Sequence, residues 1–356
     1  MRLLIVDPGA AYSTHDVFVG LYNALQAQGH DLHVYQLTHR LNRAESWLQY
    51  CWRKAGKPEP APTHADYVYR ASFEVLERVP HFGVDGVLFI SAMFVHPKIL
   101  RALKHYGIPT GIVFTESPYD DGPQYRIAEL VDVCWTNERT SLRVLRLANP
   151  RTYYLPHAYN DAAYGAADLD EAVPAHDVVF VGTAFPERVE ILSAVDWSGI
   201  DLGLYGQWRT LGSRSKLRQY VRGSVIDNRV ALELYRRAKI GLNLYRTSRG
   251  LDYRAPRISS ADSLNPRAYD LAAACCFQIS DYRAEVPERF GASVPTFKRR
   301  QDLARMLRHY LAHPESRAQR ASIAHRLVAP HTYAARARQL VGELEDAWRI
   351  PLAKGA

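Results

Sequence analysis

The chain contains little cysteine. Its 356 residues include only Cys51, Cys134, Cys275 and Cys276, and no pair has the CxxC spacing. That spacing is the usual mark of thiol redox motifs and cysteine-rich zinc sites, so neither kind of site is indicated. We expect all four thiols to be reduced, with Cys134 and Cys275 acting as small residues of the core.

Long apolar runs are also missing. No stretch approaches the ~20 apolar residues that a membrane-spanning helix needs. The opening letters MRLLIVDPGA hold a short apolar run that is typical of a first β-strand, whereas a signal peptide has a longer apolar region. We therefore expect a cytoplasmic protein without a membrane span.

A third absence is the dinucleotide fingerprint GxGxxG, because Gly9-Ala10-Ala11 stands where the first strand turns into its helix. Strands and helices nevertheless alternate along the chain. The first half has apolar strand patterns at 2–6, 31–37, 86–91, 110–115, 131–137 and 152–156. The second half has them at 177–183, 201–207, 240–245, 277–280 and 293–297, with a further helix predicted from Ser213.

This alternation predicts an α/β fold with two Rossmann-like domains that face each other across a cleft. We place the N-terminal acceptor domain at residues 1–160 and a small, acidic linker at 161–175. A C-terminal donor domain follows at 176–330, and the amphipathic pattern at 331–356 predicts a last helix. The linker holds Asp168 and Asp170, but a D-x-D triplet in a linker is a poor metal site, and we expect no metal.

Positive charge is concentrated in one window of the chain. Residues 201–260 hold thirteen Arg or Lys against four Asp or Glu, whereas the whole chain has a net charge of +8. Such a surplus suits a diphosphate or a polyanion, although a solvated basic helix face is an equal alternative for its helical part. The interleaved aromatic residues could stack on nucleic-acid bases, and they are Trp208, Tyr220, Tyr235, Tyr245 and Tyr253.

Four segments of the chain look familiar. They are DVVFVGTAFPERVEIL, LGLYGQW, SLNPRAYDLAAACCFQISDYRAEVPERF and the ending HYLAHPESRAQRASIAHRLVAPHTYAARARQLV. They resemble the CgeB-like glycosyltransferases, which are grouped with the group-1 glycosyltransferases of GT-B fold. IPTGIVFTESPYDD and TYYLPHAYN in the first half look similar too.

The resemblance implies a hexosyl- or pentosyltransferase that needs no cofactor beyond its donor substrate, a nucleoside-diphosphate sugar such as a UDP-sugar. It implies that the second domain holds the nucleotide and that the last helix crosses back to the first domain. Asp270 stands where the family has a glutamate and would accept hydrogen bonds from the ribose hydroxyls. Cys275 stands where the family has a glycine.

The departing diphosphate needs positive charge and free amide groups. Arg246, Arg254 and Arg267 are candidates, together with the backbone at Leu264 and Asn265. Gly182, Thr183 and Gly206 end two strands, where α/β folds bind ligands, although each glycine could equally serve a tight turn.

On the acceptor side, Glu116, His15 and Asp120 are the candidates for the catalytic base or for sugar contacts, and His157 is a further one. The acceptor could be a glycan, a protein, a small molecule or DNA. Two other classes stay open at this point, namely a non-catalytic sugar-nucleotide binding protein and a GT-B-type epimerase.

Overall fold

The computed structural model describes residues 1–9, 13–91, 93–161, 173–223, 228–249, 256–258 and 260–349. The chain forms two compact units, Met1–Pro156 together with Tyr333–Ala356, and His157–Thr332. Each unit holds one six-stranded parallel sheet with helices, which confirms the predicted α/β class with two Rossmann-like sheets. Residues 162–172 of the predicted linker, with Asp168 and Asp170, lie outside the described residues.

The first sheet has the strand order β2-β1-β3-β4-β5-β6. Its strands are β1 (Arg2–Val6), β2 (Asp31–Tyr35), β3 (Gly86–Ile90), β4 (Thr110–Phe114), β5 (Val133–Thr136) and β6 (Thr152–Tyr154). Every residue of β3, β4 and β5 is buried. Continuous apolar strands of this kind are what a parallel sheet covered on both faces requires.

Seven helices connect these strands in the described part of the first unit. They are α1 (Ser13–Ala27), α2 (Leu37–Lys54), α3 (His64–Phe73), α4 (Val75–Phe82), α5 (Pro97–His105), α6 (Asp121–Ala128) and α7 (Leu142–Ala148). The sequence pattern over 66–79 predicts one helix, but the structure has two helices there. A capping box between Thr63 and Asp66 starts α3, and the chain turns at Glu74 before α4 begins.

The last helix, α14 (Tyr333–Arg349), belongs to the first unit, as the resemblance implied. Its Tyr333 ring packs on Gly20 of α1, where an added Cβ would lie 2.2 Å from a ring carbon. Its Glu343 carboxylate accepts a 2.5 Å hydrogen bond from the indole N–H of Trp135 in β5. Small and aromatic residues of the first half thus form the docking surface of a helix that follows the second unit in sequence.

The second sheet has the order β12-β11-β10-β7-β8-β9. Its strands are β7 (Val178–Val181), β8 (Leu202–Tyr205), β9 (Val221–Gly223), β10 (Ile240–Asn243), β11 (Gln278–Asp281) and β12 (Thr296–Phe297). Its helices are α8 (Pro186–Ser193), α9 (Asn228–Arg237), α10 (Pro266–Ala273), α11 (Glu285–Phe290), α12 (Arg300–Ala312) and α13 (Pro314–Val328). Counted from β7, this is the strand order 3-2-1-4-5-6 of dinucleotide-binding folds.

The prediction of a helix from Ser213 is wrong. The structure has a short 3-10 helix at Lys216–Tyr220, capped by the Ser215 side chain, and then strand β9, which was not predicted. The backbone N–H of Gly206 bonds the carbonyl of Gly223 at 2.9 Å. The chain must therefore extend along β8 as soon as the 3-10 turn ends, which leaves no room for an α-helix.

The prediction that Cys275 belongs to the core is also wrong. Cys275 is exposed and has φ +55°, whereas its neighbour Cys276 is buried. The amides of Cys275 and Cys276 bond the carbonyls of Ala272 and Leu271 at 3.1 and 2.9 Å. This pair of bonds ends α10 in a Schellman motif, and Cys275 occupies the left-handed position that normally favours glycine.

Within the described residues, no helix is both long enough and apolar enough to cross a lipid bilayer.

Candidate functional site

The site is built at the point where the second sheet changes direction. β7 and β10 are neighbours there. From β7 the chain continues to β8 and β9 on one side of this pair, and from β10 it continues to β11 and β12 on the other side. The carboxyl ends of two such strands diverge and leave a crevice, which is where open α/β sheets bind their ligands. Gly182 and Thr183 follow β7, and Leu244 to Arg249 follow β10.

Arg267 spans the two diverging strand ends. Its Nε donates to the Val181 carbonyl at 2.7 Å, and its Nη1 donates to the Leu244 carbonyl at 3.4 Å. The guanidinium carbon also lies 4.7 Å above the Phe180 ring. The first turn of α10 thus delivers this predicted residue to the switch point in a fixed orientation.

Arg188 of α8 reaches the same place, although it was not predicted. Its Nε bonds the Leu244 carbonyl at 3.0 Å, and its Nη1 bonds the Thr183 carbonyl at 3.1 Å. Arg246 lies close by, since its guanidinium and that of Arg188 are each 5.1 Å from the Phe185 ring. Three arginines therefore converge on the ends of β7 and β10.

The glycines at this edge are required by close approach. An added Cβ at Gly182 would lie 2.5 Å from Nη2 of Arg267, so the absent side chain makes room for the guanidinium. Gly206 has φ +110°, and a Cβ there would lie 2.5 Å from the Gly182 carbonyl oxygen. Both predicted glycines hence shape the crevice floor, and neither one is merely a flexible turn residue.

The loop after β10 is held by a buried carboxylate. Glu187 of α8 accepts hydrogen bonds from the Thr247 amide, from the Ser248 amide at 3.1 Å and from the Ser248 hydroxyl at 2.5 Å. Burial opposes ionisation of Glu187, but the donors from Ser248 and Thr247 outweigh it and lower its pKa. These bonds tie the loop that carries Arg246 to the first turn of α8.

The same loop then returns on itself. The Ile258 amide bonds the Thr247 carbonyl at 2.8 Å, and the Arg249 amide bonds the Pro256 carbonyl at 3.1 Å. Arg257 forms a salt bridge with Glu190 on the exposed side of α8 at 2.5 Å. Arg254, a predicted donor residue between these positions, lies outside the described residues.

A second clamp comes from the end of β11. The Tyr245 amide donates to both carboxylate oxygens of Asp281, at 3.0 and 3.2 Å. Arg283 bonds the carbonyls of Ala261 and Arg246, at 2.5 and 3.2 Å. Desolvation raises the pKa of Asp281 to about 6, although the Tyr245 amide and the nearby arginines favour its charged form.

The Leu264 amide was expected to be free for phosphate, and that expectation is wrong. It donates instead to the buried Glu285 carboxylate at 2.8 Å. The Asn265 side chain accepts from the Ala268 amide at 3.1 Å and is the N-cap of α10. Leu264 and Asn265 therefore fix where α10 begins.

Asp270 lies on α10, one turn after Arg267, and is partly buried. The charges of Arg267 and Asp270 both affect the pKa of the buried Tyr235 of α9. Burial raises the pKa of the Tyr235 phenol, Arg267 lowers it, and Asp270 raises it. Asp270 is thus within electrostatic range of the arginine edge.

The predicted acceptor residues lie in the first unit. Glu116 and Asp120 are partly buried in the turn after β4, where the amides of Tyr119 and Asp120 bond the Glu116 carbonyl at 2.8 and 3.2 Å. The turn is fixed from the next strand, because Asn137 donates to the Ser117 carbonyl at 3.2 Å. This places both carboxylates at the carboxyl edge of the first sheet.

The two histidines lie elsewhere. His15 is exposed in the first turn of α1, with its ring 5.8 Å from that of Phe18. His157 is buried and opens the second unit, so it does not belong to the first unit where the acceptor candidates were placed.

Burial bears on the proposed stacking of bases in the basic window. Trp208, Tyr235 and Tyr245 are buried in the second unit. Their rings fill the core and are not available to a base, while Tyr253 lies outside the described residues. Among the aromatic residues of the window, Tyr220 alone is partly accessible in the described part of the chain.

Four residues of this edge escaped sequence reasoning, namely Glu187, Arg188, Asp281 and Arg283. Glu187 and Arg188 lie in the first turn of α8, whereas Asp281 is the last residue of β11 and Arg283 follows it by two positions. No sequence signal pointed to them, because the sequence does not show which charged side chains will be buried.

Comparisons with known proteins agree with this architecture. Residues 187–342 match a family model described as glycosyl transferase-like. Over 294 residues, the chain is 23% identical to the spore protein CgeB of Bacillus subtilis (strain 168). This alignment covers 80% of the chain and 89% of CgeB.

Solved structures of other proteins share the fold. Anabaena Alr3699/HepE in complex with UDP-glucose superposes with a TM-score of 0.65 at 11% identity, covering 97% of this chain and 100% of that one. The trehalose-6-phosphate synthase OtsA gives a TM-score of 0.65 at 11% identity, covering 97% and 99%. Together with the two parallel sheets, these matches show that the chain has the GT-B fold and that residues 187–342 are similar to a glycosyltransferase family.

Proposed function

We propose that the protein transfers a sugar from a UDP-sugar to an acceptor hydroxyl group, and that the diphosphate of the donor binds at the edge defined by Arg188, Arg246 and Arg267. The observation that carries this proposal is the convergence of the three guanidinium groups on the carboxyl ends of β7 and β10. It is supported by the binding of UDP-glucose to a structural neighbour of the same fold.

The chemistry of the edge fits a leaving diphosphate. Negative charge grows on the leaving group as the glycosidic bond breaks, and fixed guanidinium groups stabilise it without reorganising. The N-terminus of α10, which has no acidic residue in its first turn, adds a favourable dipole. The proposal includes no metal ion, because these groups supply the positive charge.

In this proposal, the Asp270 carboxylate binds the ribose. A carboxylate accepts two hydrogen bonds at once, which suits the adjacent ribose hydroxyls. Its position one turn beyond Arg267 on α10 would place ribose and diphosphate in their order along the nucleotide.

The first unit is proposed to bind the acceptor. Glu116, with Asp120 beside it, is our candidate for the base that removes the proton of the acceptor hydroxyl, and His15 is the alternative.

Thermal-shift measurements with UDP, UDP-glucose and the corresponding guanine and thymine nucleotides test the donor assignment. We expect uridine nucleotides to stabilise the wild type, and Arg267→Ala and Asp270→Ala to remove that stabilisation. Arg299→Ala is the matched control, because Arg299 is highly exposed and pairs only locally with Asp302.

Two results would overturn the assignment. One is an unchanged shift in Asp270→Ala and Arg267→Ala, which would place the nucleotide elsewhere. The other is that no sugar nucleotide causes a thermal shift, even at concentrations that saturate related binding sites. Hydrolysis of the donor by the purified protein, lost in Arg267→Ala, would separate a transferase from a protein that only binds the nucleotide.

A further inference from the structure

We propose that the outer face of α2 is a docking surface for an anionic lipid bilayer. The surface consists of Arg43, Trp47, Tyr50 and Lys54, and we call it the α2 stripe. Trp47 is 58% exposed and Tyr50 is 50% exposed. A helix that only packs on its own domain has no need of two large aromatic residues on its outer face.

The stripe is narrow and continuous. Its members are spaced i, i+4, i+7 and i+11, and at 3.6 residues per turn they fall within about 60° of the helix circumference. The buried Leu37 and Ala44 lie on a different side of the helix. Arg43 and Lys54 are exposed at the two ends, so the aromatic pair is bracketed by positive charge.

The charges on α2 also favour contact between the stripe and an anionic surface. Glu45 is the one acidic residue in the sequence of α2, and its spacing places it about 170° from the centre of the stripe. Two further exposed cations, Arg53 and Lys57, lie at the C-terminal end of the helix and just beyond it. An anionic surface would therefore meet positive charge without an acidic residue on the contact line.

The rings favour lipid over nucleic acid. Trp47 and Tyr50 stack on each other with ring centroids 6.0 Å apart and planes 25° apart, and the Lys54 Nζ lies 5.7 Å from the Tyr50 centroid. Less of each ring face is left for a nucleobase. By contrast, an interfacial position between lipid headgroups suits Trp and Tyr, with Lys and Arg beside the phosphates.

Co-sedimentation of the full chain with phosphatidylcholine vesicles, with and without phosphatidylglycerol, tests the proposal. We expect binding to the phosphatidylglycerol vesicles that weakens with salt. Arg43→Ala with Lys54→Ala should weaken it about 30-fold, at about 1 kcal/mol for each cation. Trp47→Ala with Tyr50→Ala should weaken it about tenfold or more.

Arg101→Ala with Tyr106→Ala is the matched control. Both residues are exposed on and after α5 of the same unit, and Tyr106 is 72% exposed. This variant should bind vesicles like the wild type. The thermal stability of each variant, measured alongside, shows whether it is folded.

The proposal is overturned if the wild type does not bind phosphatidylglycerol vesicles. It is equally overturned if the control variant loses as much binding as the stripe variants do. Tighter binding of duplex DNA than of vesicles, lost in Arg43→Ala with Lys54→Ala, would assign the α2 stripe to a nucleic acid instead. None of these outcomes depends on UDP-sugar binding, so the proposed function is tested separately.

Discussion

The two sheets share a parallel architecture, but their carboxyl edges carry opposite chemistry. At the first edge, Glu116 and Asp120 follow β4, and the neighbouring strand end contributes the amide of Asn137. At the second edge, arginines from α8, α10 and the loop after β10 converge on β7 and β10. The same scaffold thus holds Glu116 and Asp120 at one edge and three converging guanidinium groups at the other.

Buried carboxylates fix the loops of both edges. At the first edge, Asp7 accepts the amides of Gly9 and Thr38, and Glu138 accepts the Thr140 amide. At the second edge, Glu187, Asp281 and Glu285 each accept backbone amides of the segment between β10 and α10. A long polar loop needs such partners, because its backbone groups have no strand or helix to satisfy them.

The largest effect should separate the two edges by function. Glu116→Gln removes the proposed base and should lower the rate of sugar transfer about 10²- to 10⁴-fold while leaving UDP-sugar affinity unchanged. Transfer or donor hydrolysis would be measured together with UDP-glucose binding. His15→Ala is the competing variant. If it loses the rate and Glu116→Gln does not, the base has been assigned to the wrong residue.

Next in size is the carboxylate that holds the donor loop. Glu187→Ala leaves three donors of Thr247 and Ser248 without their acceptor, which should lower the free energy of unfolding by about 2–4 kcal/mol. Glu190→Ala on the same helix breaks only the exposed pair with Arg257 and should cost about 1 kcal/mol or less. Urea denaturation measures both. Equal losses would mean that the Glu187 bonds do not stabilise the loop.

A pH-dependent effect on stability is expected at Asp281. Desolvation raises the pKa of Asp281 from 3.8 to about 6, so the folded state binds this proton more tightly than the unfolded state does. Its contribution to stability is therefore lost as pH rises from about 4 to about 6. The stability of Asp281→Asn relative to wild type should increase across that window and then level off.

Glu343 of α14 is the counterpart in the first unit. Burial raises its pKa in spite of the hydrogen bonds from Trp135 and Gln339. Glu343→Gln should change the pH dependence of stability in the same direction. Of these two variants, we expect only Asp281→Asn to alter UDP-sugar affinity as well, because Asp281 contacts the proposed donor loop and Glu343 lies in the other unit. Affinity changes in both variants would contradict this division.

The smallest effect concerns the end of α10. Cys275→Gly should raise the free energy of unfolding by about 1 kcal/mol, because glycine adopts the left-handed conformation without strain. Cys276→Gly is the contrasting variant and should destabilise the protein, since it empties a buried position. Thermal melting measures both. A destabilised Cys275→Gly protein would show that the Cys275 side chain has a role of its own.

Local periodicity was sufficient for most of the fold. Strands such as β3 and β4 are fully buried, mostly apolar and bounded by glycine, proline or polar residues, so their positions follow from hydrophobicity alone. β9 could not be predicted in this way. Its three residues, Val221 to Gly223, carry no pattern, and pairing with β8 makes them extended.

Some residues of the candidate site could likewise be predicted from the sequence, and others could not. Arg267 and Asp270 could be singled out because they stand on a short helix in a segment that resembles known donor sites. Glu187 and Asp281 could not, because a single carboxylate in sequence does not show which distant amides it will accept. The partner amides of Glu187 lie about 60 positions away, at Thr247 and Ser248.

The sequence by itself determined the α/β class, most of the strand positions and the excess of arginine in the second half, because these depend on composition and local period. Only the tertiary structure decided which side chains meet. The order of the strands in the second sheet brings β7 beside β10, and hydrogen bonds between residues far apart in the chain then orient the arginines. Such contacts depend on the packing of the whole unit, which no local pattern encodes.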